Sequence, residues 1–338
     1  MKSILFASLD KNSGKTTVEL AIAMASRKKI GYMKPFGDNP IYKEKKVVDH
    51  DAMLFKEIFK IEAGLDEMCL GLHHSKILHF YKNIEEELVE KYNKLSEGKE
   101  LFIIESGEFL WKGKSIGLDA FSIADSLDAK IIFVLSGEHY EVMDELSYIA
   151  DLKEERIEGI ILNKARGDEV DRMEGKAKEY GIDFLGYIPY IEELKAMRVS
   201  YIAEKLFAKV VAGEKGIEKD IENVFIAALS APEIRRHPDF KKRKKLIITG
   251  GDRADVITAC LEEGTSCIVL TNNIVPSTNI LAKANEKEIP LLSVRSDTYT
   301  TAKLVENIQP VILSHEKEKL EIIEEAGKRH LDMNKILG

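Results

Sequence analysis

The sequence predicts an α/β protein with a mostly parallel sheet covered by helices on both faces, followed by a smaller α/β domain. Three observations carry this. Short, nearly all-apolar runs (Ile30–Met33, Leu101–Glu105, Ile131–Leu135, Gly159–Asn163, Phe184–Ile188) alternate with amphipathic helical stretches. Strands apolar on both faces belong in parallel sheets buried on both sides. The opening run Ile4–Phe6 leads through a polar turn into a helical stretch, Val18–Ser26, and strand-then-helix recurs three times after residue 245.

The 338 residues suffice for about two domains, each with its own core. With 44% apolar residues, 22 Gly and 8 Pro, the chain is not disordered or of low complexity. Cys69, Cys260 and Cys267 form no disulfide framework, which predicts a reduced, cytoplasmic protein. Asp10 and Lys11 interrupt the N-terminal apolar run, so it is neither a signal peptide nor a span. No apolar run approaches the roughly 18–20 residues a membrane helix needs. A net charge of −8 argues against wrapping nucleic acid. The 39 Lys, 39 Glu, 11 Arg and single Gln309 match the bias of heat-adapted proteomes.

In parallel sheets ligands bind beyond the carboxyl ends of the strands. The first exit, Ser8–Thr17, places Gly14-Lys15-Thr16 between strand and helix. Backbone N–H groups and the positive helix end there suit phosphate. Lys15 would reach the β- and γ-phosphates and Thr16 would ligate Mg²⁺, with Ser13, Gly14 and Thr17 lining the loop. The usual pattern has a glycine five residues before Gly14, where this chain has Leu9. A loop one residue longer would put that glycine at Ser8.

The other exits carry matching chemistry. Lys34, before Pro35, either adds a positive charge near the transferred phosphate or is an ordinary surface lysine. Asp51 is either the N-cap of the helix that follows it or a Mg²⁺ ligand, because Mg²⁺ takes one or two carboxylates plus phosphate oxygens. Glu105 closes an apolar strand, and the cost of an unpaired buried carboxylate favours a second metal-coordinating role there. Asn163 suits the N6/N7 edge of adenine or serves as a turn residue.

Taken in order, SLDKNSGKT, YMKPFG, DHDA, IIESG, GIILNKA and Leu185–Pro189 resemble the dethiobiotin-synthetase-like group of P-loop proteins. The chain as a whole resembles the N-terminal, non-catalytic region of long phosphotransacetylases. The resemblance implies Lys15 and Lys34 on phosphate, and Thr16, Asp51 and Glu105 around Mg²⁺. It also implies Asn163 with the Pro189 loop at adenine. Enzymes of the group phosphorylate a carboxylate or carbamate with ATP, by positioning and charge neutralisation. Two departures stand out: Ser8 replaces the first loop glycine, and bulky Glu108 and Phe109 follow Ser106-Gly107 where small substrates pass.

The boundary is expected near residue 210, giving domains 1–209 and 210–315 and a C-terminal helix 316–338. Residues 217–229 look helical. Lys241–Lys245 reads mainly as the solvated approach to a strand. The three strand–helix repeats resemble the DRTGG domain, with Gly250-Gly251-Asp252-Arg253 matching only the start of its motif. Asp252, Asn272 and Asp297 are turn and cap residues or belong to an effector site.

These readings predict a protein that binds ATP and Mg²⁺, in a regulatory, nucleotide-sensing role. The rival is a stand-alone ligase activating a carboxylate or carbamate, with Lys15 and Lys34 catalytic. A homodimer or higher oligomer and a small-molecule effector at the DRTGG-like domain are expected. A membrane or nucleic-acid partner is not.

Overall fold

The structure, a computed structural model, describes residues 1–43, 46–262 and 264–338. The chain forms two compact units, Met1–Ile191 with Ile312–Gly338, and Glu192–Val311. The first unit opens with β1 (Lys2–Ala7), α1 (Lys15–Ser26), β2 (Ile30–Met33), β3 (Pro40–Lys43), β4 (Lys46–Asp49) and α2 (His50–Phe59). Short helices α3 (Leu65–Met68), α4 (His74–Phe80) and the longer α5 (Ile84–Ser96) lead to β5 (Leu101–Glu105). Then follow α6 (Ala120–Ser126), β6 (Lys130–Leu135), α7 (His139–Leu152), β7 (Ile157–Ala165), α8 (Glu169–Tyr180) and β8 (Phe184–Pro189).

Six strands pair in parallel in the order β2-β5-β1-β6-β7-β8, while β3 and β4 form a separate antiparallel hairpin. Every residue of β2 and β5 is buried, as their apolar runs require, and burial extends to Glu105 at the end of β5. From β1 the chain turns toward β2, and from β6 toward β7. The carboxyl ends of β1 and β6 therefore border a topological switch point, where ligand crevices form. The loop after β1 lies there.

The last helices, α14 (Lys317–His330) and α15 (Met333–Leu337) in full chain order, belong to this first unit. The apolar stripe of α14, with Leu320, Ile323 and Ala326, packs on α1. Gly327 permits the approach, since a Cβ there would lie 2.6 Å from the Ala21 carbonyl oxygen. Leu331 bridges Gly186 on the outer edge of β8, which covers part of that edge.

The second unit runs β9 (Met197–Arg198), α9 (Val199–Lys205), β10 (Lys209–Ala212), β11 (Asp220–Ile221), β12 (Asn223–Ile226), α10 (Ala231–Arg236) and β13 (Lys245–Gly250). It continues with α11 (Ala254–Cys260), β14 (Thr265–Thr271), α12 (Thr278–Glu286), β15 (Leu291–Ser293) and α13 (Thr298–Glu306). Its sheet has the order β10-β15-β14-β13-β12, parallel except for the edge strand β10.

Three expectations need correction here. The boundary expected near 210 falls inside this unit, because Val199, Ile202, Ala203 and Leu206 of α9 pack with Leu246, Ile248, Cys267 and Val269. Residues 217–229 are not a helix. Phe225 is buried between Val224 and Ile226, each 46% exposed, which is the period of two of a strand. Lys245 is not solvated either: it starts β13, is buried, and holds its ammonium 4.7 Å from the Phe240 ring.

Candidate functional site

The loop between β1 and α1 is held from several sides. Gly14 has φ 83° and Asn12 φ 62°, both left-handed, so the backbone turns sharply before the helix. Ser8 and Ser13 hydroxyls donate to the Asp10 carbonyl at 3.0 and 2.8 Å, tightening the loop from within. Asn163, at the end of β7, donates its amide to the Ser13 and Gly14 carbonyls at 2.8 and 3.3 Å. Lys164 donates to the Asn12 carbonyl at 2.8 Å. Asn163 is therefore a clasp on the loop, and its amide donor is committed to that backbone. Pro189 pairs with Ala165 at the sheet edge, and the Arg166 guanidinium lies 3.8 Å over the adjacent Tyr190 ring.

Lys15 is buried in the first turn of α1, and its ammonium donates to Ser8 Oγ at 3.1 Å. Ser8, standing where the long-loop pattern has glycine, thus gives this lysine an acceptor. Thr16 and Thr17 lie half-buried beside it. Glu108 of the loop after β5 forms an ion pair with Lys11 and so ties that loop to the phosphate loop.

The second cluster centres on Lys34, which follows β2 and is 1% exposed, not a surface lysine. Its ammonium contacts Asp38 and Asp51 at 2.6 Å each and Glu105 at 3.0 Å. Burial opposes its charge, but Asp49, Asp51, Glu105 and Asp38 outweigh that and hold its pKa well above the ordinary value. Burial likewise opposes the charge of Asp51, which Lys34 and then His50 keep well below the usual carboxylate range. Burial, countered by Lys34, pushes Glu105 up to about 7. The Tyr32 hydroxyl donates to Glu105 at 2.8 Å and orients it.

Asp51 is not the cap of α2. Asp49 is: its Oδ1 accepts from the Asp51 and Ala52 amides, and its Oδ2 from those of Asp38 and Asn39. Among the described residues, Asp38, Asp49 and Asp51 form the one group of three or more His, Cys, Asp or Glu close enough to share a metal ion. With Asp49 saturated by backbone amides, the open oxygens of that group belong to Asp38 and Asp51, and Glu105 shares the Lys34 ammonium with them. Carboxylates are hard oxygen donors, and Mg²⁺ takes one or two of them, so the chemistry of these acids fits that ion.

One acid here is absent from the sequence-level set. Glu19, on α1, is fully buried, and neither of its oxygens meets a hydrogen-bond donor among the described residues. Burial and then the adjacent Glu105 push its carboxyl well above the ordinary range. Its position three residues after Thr16, on the same helix face, was the available signal.

In the second unit Arg253 does not face an anion: its guanidinium donates to the Ala227 and Leu229 carbonyls and closes the loop after β12. Asp297 caps α13 by accepting from the Thr300 amide at 2.8 Å. Thr249, Thr271 and Thr301 bury hydroxyls near the strand ends, and Thr271 contacts the Thr298 hydroxyl at 3.1 Å. Burial raises the Cys69 and Cys260 thiols to about 12, so neither is a reactive nucleophile.

Phosphate acetyltransferase of Pseudomonas putida is 25% identical over 98% of this chain and 51% of its own length. That of Nitratidesulfovibrio vulgaris is 21% identical over 99% of this chain and 51% of its own. The chain therefore spans about half the length of these curated relatives. A solved structure of the CBS and DRTGG domains of the regulatory region of Clostridium perfringens pyrophosphatase, complexed with its activator diadenosine tetraphosphate, superposes with a TM-score of 0.31. It is 18% identical and covers 50% of this chain and 71% of that one. No helix among the described residues is long and apolar enough to cross a membrane. A DRTGG domain profile matches residues 201–308, and the profile of the AAA domain family AAA_26 matches residues 2–198. The chain belongs to that AAA_26 family and carries a DRTGG domain after it, an arrangement related to the N-terminal region of phosphate acetyltransferases.

Proposed function

We propose that the chain binds ATP with Mg²⁺ in its first unit and acts as a nucleotide-sensing, regulatory protein. The observation that carries this is the convergence of a braced phosphate loop, bearing Lys15, with Lys34 and Glu105 at neighbouring strand ends and Asp51 in the first turn of α2. Lys15 and the α1 N-terminus would receive the phosphates. Asp51, Glu105 and Thr16 would hold Mg²⁺, which when bound neutralises developing phosphate charge. The loop 106–112 is tied to the phosphate loop through Glu108 and Lys11, and the bulky Glu108 and Phe109 stand in sequence where the related enzymes pass a small substrate. That supports sensing over synthesis. The DRTGG domain is the proposed place for a small-molecule effector or for self-association into a homodimer.

The rival, a ligase activating a carboxylate or carbamate, is favoured by the complete Lys34–Asp51–Glu105 cluster, which a purely structural domain would not need. Phosphate release from ATP·Mg²⁺, with and without panels of carboxylates and amines, separates the two. The sensing reading expects a slow basal rate that none of them stimulates. Strong stimulation by any one would overturn it in favour of the ligase.

A further inference from the structure

Lys34 has three N–H donors, and three carboxylates surround its ammonium: Asp38, Asp51 and Glu105. No donor is left for a phosphate oxygen in this arrangement. Two of these acids are the ones proposed for the metal, and a buried carboxylate without a counter-charge is expensive. A cation among them is therefore strongly favoured while they are ionised. A lysine ammonium and a divalent ion would compete for the same oxygens.

We propose that Lys34 is a tethered counter-cation that occupies the metal's carboxylates in the nucleotide-free protein and yields them when Mg²⁺ enters with nucleotide. This rests on the metal reading given above. On entry the ion takes the Asp51 and Glu105 oxygens, and the released ammonium turns to the phosphates. Asp38, whose side chain is 18% exposed against 1% for Lys34, is the acid that keeps contact with it during the exchange. The same positive charge thus serves first as a stabiliser of the empty site and then as a phosphate ligand. Metal without nucleotide should bind poorly, because it would leave the displaced ammonium with Asp38 alone and no phosphate to turn to.

The test is thermal melting of wild type and Lys34→Met in EDTA and in millimolar MgCl₂, without nucleotide. Lys34→Met should melt about 10 °C below wild type in EDTA, and MgCl₂ should recover most of that loss. Wild type should move little with MgCl₂. Equal melting of the two proteins in EDTA, or equal responses to MgCl₂, would overturn the proposal. If Lys34→Met does not fold, the double variant Lys34→Met/Glu105→Gln removes one uncompensated charge and should fold. Failure of the double variant to recover would also count against it. ATP calorimetry on wild type in MgCl₂ and in EDTA keeps the two claims apart. Equal affinities there would refute the metal reading itself, whereas Mg²⁺-dependent binding without rescue of Lys34→Met refutes only the role of Lys34.

Discussion

The Asn163 amide donates to the Ser13 carbonyl at 2.8 Å, joining two residues 150 positions apart in sequence. A strand-end side chain thereby fixes the shape of the phosphate loop from behind. Asn163→Ala leaves the Ser13 and Gly14 carbonyls to find water, at a cost of about 1–2 kcal/mol. It should weaken ATP binding about tenfold while the fold persists. Calorimetry alongside thermal melts checks both effects.

Gly14 tests the same clasp from the other side. A Cβ there would stand 2.1 Å from the Asn163 amide nitrogen, on a backbone with φ +83°. Gly14→Ala should therefore abolish nucleotide binding rather than weaken it. Asn163→Ala in the same chain should relieve the clash but not the backbone strain, and so restore binding only in part. Full restoration in the double variant would show that strain at Gly14 is unimportant.

Glu145, on α7, is buried with neither carboxylate oxygen hydrogen-bonded among the described residues. Burial, then Asp10 and Glu141, push its pKa up to about 8. The folded protein thus holds this proton more tightly than the unfolded chain does. The stability it confers is complete below about pH 4.5 and declines as pH rises to about 8. Glu145→Gln should remove that decline, so its gain over wild type is small at pH 5 and largest above pH 8, about 1–2 kcal/mol. Urea titrations across the pH range read the difference directly.

The helix pair that backs the loop is equally open to test. Gly327→Val places a branched side chain against the Ala21 carbonyl, where even a Cβ is 2.6 Å away. Pushing α14 off α1 should cost about 1–3 kcal/mol by overpacking. Truncation before residue 312 should cost more, since it uncovers the whole face of α1 that α14 buries. Denaturant midpoints of the two variants check the order.

Trp111, the chain's one tryptophan, is 66% exposed and stacks on Phe109 with ring planes 2° apart. It sits in the loop that Glu108 ties to Lys11. Binding of ATP·Mg²⁺ should displace Lys11 toward phosphate and alter Trp111 emission. In Glu108→Ala, where the tie is already cut, the emission change should be smaller.

Much of this architecture was legible in the sequence because parallel strands are apolar throughout and their exits are polar. Ile30–Met33 and Leu101–Glu105 begin and end where that contrast places them. The meeting of Lys34 and Glu105 follows from the ends of the neighbouring strands β2 and β5, whereas Asp51 reaches them from the first turn of α2. What stayed hidden depends on partners distant in sequence. Glu19 looks like an ordinary helix-face acid until the burial of α1 between the sheet and α14 is known. Lys245 ends a basic run, and only Phe240 and the pairing of β13 show why it is buried. The β11–β12 segment looked helical because its charged residues outweighed a short alternation at Val224, Phe225 and Ile226. Asn163 offered either a base or a turn role, and its hold on the loop carbonyls could not be inferred from spacing.

Every nucleotide-dependent prediction above rests on the proposed binding of phosphates by Lys15 and its loop. Isothermal calorimetry of ATP·Mg²⁺ with wild type and Lys15→Ala tests it most directly. Wild type should give a one-site isotherm, and Lys15→Ala should lose about 2–3 kcal/mol of binding, or all measurable heat. Identical isotherms for the two proteins, or no binding by either, would contradict it.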